Sequence, residues 1–479
     1  MGNRVFFLTI VNLQILFINI LQAQTENNEI QIGGSRIFTR GQLVEYKTDR
    51  IEISDKDQWS EALKIVEQKK QEYLLNGWID PSKSHPLFGL PIRSNNLSPD
   101  EGYYTITSYF DHDSLYPDQL KDYKCGNLTY DLESGYNHAG TDFFLWPYPW
   151  LKMYNNEVEV IASAAGMILL KQGGNFDLHC EENSDPWNGI CILHEDGSTS
   201  WYIHLKKNSL TSIGVGQQIE QGEYLGIVGS SGSSLAPHLH FEVLDSDLKK
   251  TDPFFGTCND SVSESWWAEQ LPYKNPGVNK ISTHAHLPVF MPCPQLEVPY
   301  ESGVFYPGDS VFLVAFLTNF SPGDDLKVVI RRPDQSVFTE WIWSYPYDFY
   351  TASWVFFLMF LNEDNYGVWN YEVVFNGQTL SKSFELKDPN GISDSFNSDQ
   401  IKIFPNPSDD IINIDIPSGI GVFPKVKILN SLGQEFRLGE PHFNSVTSFQ
   451  YDISGLPAGI YLIDFDFGKY TLYRKVVRK

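Results

Sequence analysis

Two histidines in the stretch "SSGSSLAPHLHFEVL" have a spacing that suits chemistry, because His238 and His240 are two residues apart. Alternate side chains of a strand point to the same face, about 7 Å apart along the backbone. Both imidazole rings could therefore reach one small object such as a metal ion. The alternative is a surface strand whose histidines are only solvated, so partners elsewhere in the chain must decide.

A second pair of candidate ligands lies upstream in "YNHAGTDFFLWP", where His138 and Asp142 are four residues apart. Imidazole nitrogen and carboxylate oxygen both suit zinc, but four fully extended residues span about 13 Å, too far for two ligands of one ion. We therefore expect the chain to bend, with Gly140 at the bend. The alternative is an aspartate that caps a turn beside an unrelated histidine.

A third candidate region is "ICILHEDGSTSWYIHL", which predicts a β-hairpin with its turn at "EDGS". Its second strand delivers His204, and we expect Ser200, Tyr202 and His204 to share a face of that strand. His194, on the first strand beside the turn, competes for the same role. We interpret His194 as a hydrogen-bonded structural residue.

The order HxxxD, then "YxHL", then "GxVGxSGxSxxPHLHFE" resembles the lysostaphin and LytM-type zinc metalloendopeptidases, which cut peptide bonds in bacterial peptidoglycan. The resemblance implies that His138, Asp142 and His240 bind one Zn²⁺ per chain. It also implies that His204 and His238 are the two catalytic histidines that do not bind the metal. All five positions are filled, so we find no departure that indicates an inactive homologue.

This resemblance covers about residues 100–256 and agrees with the chemistry of the side chains. Three protein ligands leave one position open for water, as catalytic rather than structural zinc sites do. Zinc lowers the pKa of that water towards about 7, and neighbouring imidazoles can accept its proton or stabilise the oxyanion. Glu242 continues the face of His238 and His240, where it either orients an imidazole or is an ordinary solvated strand residue.

Four other histidines are not expected to bind metal. His284 and His286 repeat the HxH spacing in "THAHLP", but that stretch is flanked by proline and reads as a linker without strand character. His112 in "FDHD" and His179 beside a cysteine have no nearby ligand pattern.

The length and composition of the chain indicate how many domains position these residues and which partners are excluded. A chain of 479 residues is expected to hold about three or four domains. The 60 acidic against 35 basic residues give a net charge of −25, which argues against nucleic acid or an anionic membrane surface as the main partner. The start "MGNRVFFLTIVNLQILFINILQAQ" predicts an export signal peptide cleaved after about Ala23.

Short β-branched and aromatic runs separated by Gly-rich turns predict antiparallel hairpins around the candidate site, without helical periodicity. One helix is predicted upstream, opened by Ser54 and closed by Gly77, in a segment with no apparent chemistry. Downstream, "SVFLVAFL", "LKVVIRR", "WVFFLMFL" and "VWNYEVVFNG" predict an Ig-like sandwich.

The last block, with "FPNP", "SLGQ", "LPAGIY" and the basic terminus "YRKVVRK", resembles the C-terminal sorting domain of the type IX secretion system of Bacteroidetes. The resemblance implies a small β-sandwich that directs the protein to the type IX machinery, and hence to the outer-membrane surface or the medium. The alternative is an ordinary terminal β-module.

The predicted fold is therefore mainly β and multidomain, with an antiparallel LytM-like peptidase core, an Ig-like β-sandwich, a C-terminal β-sandwich sorting domain and a short N-terminal helical segment. The expected boundaries are 1–23 signal peptide, 24–99 N-terminal segment, 100–260 peptidase domain, 261–294 connecting segment, 295–388 Ig-like sandwich, 389–400 linker and 401–479 sorting domain.

Five cysteines in an exported chain predict disulfides with one thiol left over. Cys180 and Cys191 bracket a polar loop between two strand-like runs and are the first expected pair. Cys258 and Cys293 flank an irregular, proline-rich stretch and are the second. Cys125 is then the odd thiol.

The functional hypothesis from sequence is an exported zinc endopeptidase that acts on peptidoglycan stem or cross-link peptides, and not on nucleic acid. One alternative is a noncatalytic LytM-like regulator or wall-binding protein, which would require a lost ligand or a blocked groove. Another keeps the enzyme but changes its substrate to extracellular proteins, including Gly-rich ones.

Overall fold

The computed structural model describes most of the chain after residue 55 and short backbone stretches before it. The described residues are 5–7, 13–14, 28–30, 37–45, 56–95, 100–361, 365–388, 401–416, 424–430, 433–439, 441–445, 447–467 and 471–479. Most of the predicted signal peptide and all of the predicted linker at 389–400 lie outside them.

The part of the chain up to Leu75 contributes strands and one long helix. Its elements are β1 (Val5–Phe7), β2 (Leu13–Gln14), β3 (Asn28–Ile30), β4 (Ile37–Glu45) and α1 (Lys56–Leu75). The predicted helix is confirmed, although its expected first residue, Ser54, lies outside the described residues. Ala62 and Val66 bury one face of α1 against the central domain. Neither described helix is long and apolar enough to cross a membrane.

The central domain is built from two sheets. Its elements are β5 (Ile92–Ser94), β6 (Tyr104–Ser108), β7 (Gly140–Leu145), α2 (Pro149–Tyr154), β8 (Val158–Ile161), β9 (Gly166–Gln172), β10 (Gly189–Leu193), β11 (Thr199–Ile203), β12 (Gln218–Ile219), β13 (Tyr224–Ile227), β14 (His238–Leu244) and β15 (Lys250–Thr251). The larger sheet has the order β12-β9-β10-β11-β14-β7-β6, with β15 on β14, and the smaller has the order β13-β8-β5.

The antiparallel β architecture predicted for this region is confirmed, with two additions. The short helix α2 falls in a stretch where no helix was expected; it begins at Pro149, whose fixed φ suits a first helical turn. The strand β5 pairs with β8, and Phe88 is buried in the same core. The structural unit therefore begins before the expected boundary at residue 100.

A β-sandwich follows the central domain. Its elements are β16 (Gly277–His284), β17 (Val304–Phe305), β18 (Ser310–Phe320), β19 (Asp325–Arg331), β20 (Val337–Ser344), β21 (Tyr350–Phe360), β22 (Gly367–Phe375) and β23 (Gln378–Leu386). One sheet runs β16-β18-β21-β4 and the other β17-β23-β22-β19-β20. The four strands predicted from sequence are present as β18, β19, β21 and β22.

The expected connecting segment at 261–294 is not a plain linker, because β16 lies within it and pairs with β18 along its whole length. Its sequence "GVNKISTH" mixes polar and apolar residues, and it lies at the edge of the sheet, so strand character was weak in the pattern. His284 is consequently a buried strand residue.

The C-terminal domain consists of two four-stranded sheets around a shared apolar core. Its elements are β24 (Lys402–Phe404), β25 (Ile411–Asp415), β26 (Lys425–Asn430), β27 (Glu435–Phe436), β28 (His442–Ser445), β29 (Ser448–Asp452), β30 (Gly459–Asp466) and β31 (Thr471–Arg478). This arrangement agrees with the expected terminal β-sandwich.

The disulfide pairing differs from the one predicted. Cys125 pairs with Cys258, and Cys180 pairs with Cys293, with Cα atoms 5.2 and 5.7 Å apart. Cys191 is the buried free thiol, because it lies in the middle of β10 opposite core residues of β9 and β11. The expected Cys180–Cys191 and Cys258–Cys293 bonds were therefore wrong, and so was Cys125 as the odd thiol.

Peptide mapping tests this pairing. Digestion of the unreduced protein is expected to yield linked peptides containing Cys125 with Cys258 and Cys180 with Cys293. Cys191 should be alkylated only after denaturation, because its side chain is buried. Mass spectrometry of a Cys180–Cys191 peptide from never-reduced protein would contradict the structure.

Candidate metal centre and groove

The register of β7 against β14 places the two central candidate residues opposite each other. Asp142 pairs with His240, and on either side Phe144 pairs with His238 and Gly140 with Glu242. Directly opposed residues of antiparallel strands project from the same face. The opposite face carries Phe143, Leu239 and other apolar residues into the core, which fixes this register.

Three candidate ligand atoms converge on one point. His138 Nε2 lies 3.1 Å from Asp142 Oδ2 and 3.2 Å from His240 Nδ1. His240 Nδ1 lies 2.9 Å from Asp142 Oδ1. Tetrahedral ligands about 2.1 Å from a zinc ion are about 3.4 Å apart, so these three side chains can surround one small cation, with Asp142 offering either carboxylate oxygen. Among the described residues, this is the group that could hold a metal ion.

His138 reaches the centre from an irregular loop rather than from a strand. Its Nδ1 donates to the carbonyl of Tyr109 at 2.7 Å, which leaves the lone pair of Nε2 directed at Asp142 and His240. Its ring also stacks on Tyr130 with centroids 4.4 Å apart. The loop is fastened at its middle by the Cys125 disulfide.

Glu242 holds the far side of the His240 ring. Its Oε2 lies 3.3 Å from His240 Nε2, and its Oε1 lies 3.3 Å from Lys250 Nζ. Burial acts to lower the pKa of His240, but hydrogen bonds to Asp142 and Glu242 raise it to about 9. Two buried carboxylates therefore make this a site that favours positive charge, as a cation centre must.

His204 and His238 lie beside the three candidate ligands. Their ring centroids are 4.6 Å apart. His204 Nδ1 donates to the carbonyl of Ser231 at 2.6 Å, and His238 Nδ1 donates to that of Ala236 at 2.8 Å. Burial lowers the pKa of both histidines. Both are thus neutral at neutral pH, each with an Nε2 that can accept a proton.

His204 does not share the face of Ser200 and Tyr202, contrary to the expectation from strand alternation. The strand β11 ends at Ile203, and His204 has φ +68°. This left-handed conformation is uncommon for a non-glycine residue and turns the ring out of the core towards His238. Tyr202 stays in the core, where its hydroxyl accepts from the backbone N–H of Ser163.

Gly140 is needed for a close approach rather than for a bend. It is the first residue of β7 and so lies within the strand. A Cβ atom there would lie 2.6 Å from the carbonyl oxygen of Phe241 and 2.8 Å from the ring of His240. Only a residue without a side chain lets the His240 ring occupy its present position.

The remaining histidines have other contacts. His194 is buried between the carbonyl of Ala165 and the hydroxyl of Ser200, which agrees with the structural role expected for it. The four histidines that the sequence did not favour as ligands contact a carboxylate, the backbone or a ring, as follows: His112 with Asp252, His179 with Asp185, His284 with the Pro299 carbonyl and His286 with the Tyr300 ring.

A groove of about 710 Å³ runs over the candidate metal centre. It is lined by Asp142, His204, His238, His240 and Glu242. Sequence reasoning missed part of its wall. Trp59 of α1 and the stretch 350–352 of the sandwich line the same groove. An aromatic residue on a half-buried helix carries no signal for this role, because it reads equally well as core.

Two family models match the chain. Residues 138–253 match the family described as peptidase family M23, and residues 402–479 match the secretion system C-terminal sorting domain. These matches confirm both resemblances found in the sequence. The second match indicates type IX secretion to the cell surface or the extracellular space.

Two relatives and one solved structure illustrate the first match. The chain is 33% identical over 110 residues to glycyl-glycine endopeptidase ALE-1 of Staphylococcus capitis and 32% identical over 110 residues to lysostaphin of Staphylococcus simulans. Each alignment covers 23% of this chain, but only 25% and 18% of those relatives. The catalytic domain of the antimicrobial peptidase lysostaphin from Staphylococcus simulans is 24% identical, with a TM-score of 0.21 over 31% of this chain and 89% of that one.

The close approach at Gly140 can be tested by adding one methyl group. Gly140→Ala is expected to displace the His240 ring and to weaken zinc binding about 10- to 100-fold, as for other contacts that orient metal ligands. Gly303→Ala is the matched control, because a Cβ atom there meets nothing within 4 Å. Zinc titration against a chelating indicator measures both. Equal affinities for Gly140→Ala and wild type would contradict the steric argument.

Proposed function

We propose that this chain, which carries a peptidase family M23 domain, is a secreted zinc metalloendopeptidase that hydrolyses peptide bonds in peptidoglycan stem or cross-link peptides. The convergence of His138 Nε2, Asp142 and His240 Nδ1 on one point is the observation that carries the proposal. One relative is named a glycyl-glycine endopeptidase, which is consistent with hydrolysis of a peptide bond.

In this proposal His138, Asp142 and His240 hold the zinc ion. A zinc ion with three protein ligands supplies an acidified water and polarises a carbonyl. Glu242 and the Tyr109 carbonyl fix the ring orientations of His240 and His138 through hydrogen bonds to their outer nitrogens.

His204 and His238 act as general base and general acid in the proposed reaction. Their Nδ1 atoms are held by backbone carbonyls, so their Nε2 atoms face the groove in the neutral form. A neutral Nε2 accepts a proton from the attacking water, and the resulting imidazolium donates to the oxyanion or to the leaving amine. The noncatalytic alternative would require a lost ligand or a blocked groove, whereas all five side chains and an open groove are present.

Zymography on purified sacculi, beside a panel of extracellular proteins, tests the substrate class. Wild-type protein is expected to clear the sacculi, and Asp142→Asn, which keeps the shape of the side chain, is expected not to. If the protein cleaves extracellular proteins but leaves the sacculi intact, its substrates are extracellular proteins and not peptidoglycan. Absence of any hydrolysis in zinc-loaded protein would favour the noncatalytic regulator.

Single substitutions separate the two proposed roles. His138→Ala, Asp142→Ala and His240→Ala are each expected to lose zinc and hydrolysis together, because only three protein ligands are proposed. His204→Ala should keep the metal and lose about 100- to 10,000-fold in turnover, since it acts on protons. Zinc content by elemental analysis and turnover on the same sample measure both effects. Full zinc occupancy in His240→Ala would contradict the assignment of His240 as a ligand.

Deletion from Ile401 onward tests export. We expect the truncated protein to accumulate in the periplasm, because the type IX sorting domain is absent. The central domain and the sandwich have cores separate from that of the C-terminal domain, so activity should remain. Fractionation with a cytoplasmic marker for lysis gives the readout. Truncated protein in the medium of unlysed cells would mean that the terminal domain is an ordinary β-module.

A further inference from the structure

The groove runs along the paired strands β7 and β14, with the candidate metal centre in its middle. From the pair Asp142 and His240, the strands continue two residues one way to Glu242 and two residues the other way to Phe144 and His238. Two strand residues span about 7 Å, so the groove extends about 14 Å along the strands. An extended peptide of about four residues covers this distance.

One end of the groove is built by helix α1. Lys250 Nζ lies 3.3 Å from Glu242 Oε1 and 5.3 Å from the centre of the Trp59 ring, so Trp59 belongs to the Glu242 end. The Trp59 ring packs against Trp201 of β11 with centroids 4.5 Å apart. This packing fixes the helix beside the groove and leaves part of the Trp59 ring exposed to it.

The other end is built by the sandwich. Phe144, which continues the face of Asp142, packs in one buried cluster with Ala352. Tyr350, Thr351 and Ala352 line the groove at this end. They begin strand β21, which belongs to the sandwich and not to the central domain.

Hydrogen bonds hold this part of the sandwich against the strand that carries the candidate ligand. The carbonyl oxygen of Thr351 accepts from the hydroxyl of Thr105 at 2.8 Å and from that of Thr318 at 3.1 Å. Thr105 lies on β6, which pairs directly with β7. Trp146, just after β7, donates its Nε1–H to the carbonyl of Leu317 at 3.1 Å.

A buried ion cluster reinforces the same interface. Lys152 of α2 and Lys280 of β16 contact Asp100 at 2.6 and 2.9 Å. All three side chains are at most 14% exposed. Such an arrangement is costly to pull apart, because separation would leave buried charges without partners. The sandwich is therefore a fixed wall of the groove.

We propose that the substrate peptide lies extended along β7 and β14, and that Trp59 and the stretch 350–352 contact its residues on opposite sides of the cleaved bond. This inference rests on the proposed function and adds the source of its specificity. Neither contact belongs to the matched peptidase region at 138–253. Peptides shorter than about four residues reach only one end of the groove, whereas longer peptides touch both.

Kinetics on fluorogenic stem and cross-link peptides of three to seven residues test the inference. Thr351→Trp fills the sandwich end while keeping the backbone carbonyl that Thr105 and Thr318 contact. Trp59→Leu removes the ring at the other end and keeps an apolar side chain. Each is expected to lower kcat/KM for peptides of five or more residues at least about tenfold, with a smaller effect on tripeptide cleavage and with zinc content unchanged.

Matched controls come from the same elements. Ile342→Trp introduces the same residue at an exposed position on β20 of the other sandwich sheet, and Leu75→Ala alters the exposed end of α1. Both should cleave like wild type. If Thr351→Trp does not fold, Tyr350→Ala probes the same end by removing bulk, and a changed preference among the long peptides is expected.

Two negative results are distinguishable. The first is an active wild type whose dependence on peptide length is the same in Trp59→Leu and in Thr351→Trp, or in Tyr350→Ala if Thr351→Trp does not fold. This result would overturn the inference and leave the proposed function standing. Zinc-loaded wild type that cleaves none of the peptides and no sacculi would overturn both.

Discussion

The pairing of β7 with β14 is the constraint on which the rest of the structure depends. It sets Asp142 opposite His240 and carries Phe143 and Leu239 into the core on the other face. A slip of one residue would reverse both faces at once and bury carboxylate and imidazole in an apolar core. The free-energy cost of burying these polar groups in the core holds the strands in their register, and this register sets the positions of Asp142 and His240.

Charge then decides what such a centre can hold. Asp142 and Glu242 are at most 5% exposed, and they face His240 from its two sides. Burial acts to raise the pKa of Asp142, but the adjacent His138 and His238 hold it well below its ordinary value, so this carboxylate stays ionised. Lys250 compensates the second carboxylate from the groove side. The centre is therefore an enclosed set of nitrogen and carboxylate oxygen donors, with His204 and His238 beside it.

The sequence was sufficient for the parts that rest on local patterns. Alternation identified the face of His238 and His240, and turn residues located the hairpin before His204. It was insufficient where tertiary contacts override the pattern. Alternation placed His204 on the same face as Ser200 and Tyr202, whereas a left-handed backbone conformation turns it away from that face. The nearest cysteine in sequence was not the partner of Cys180, because Cys191 is enclosed within a sheet and a bond to a distant segment satisfies Cys180 instead. The roles of the five site residues remain predictions, since spacing gives proximity but not function.

The far separation of the groove's parts along the chain has a consequence for biogenesis. The candidate metal centre uses residues up to His240, but Cys180 bonds to Cys293, and one end of the groove is formed by the stretch 350–352. A chain that is synthesised amino end first therefore presents the candidate ligands before the segments that complete the groove. Contacts this remote in sequence form slowly, because the entropy of closing a long loop is lost before the contacts stabilise the structure. The groove around the candidate ligands is thus complete only when segments 113 or more residues downstream of Cys180 have been added.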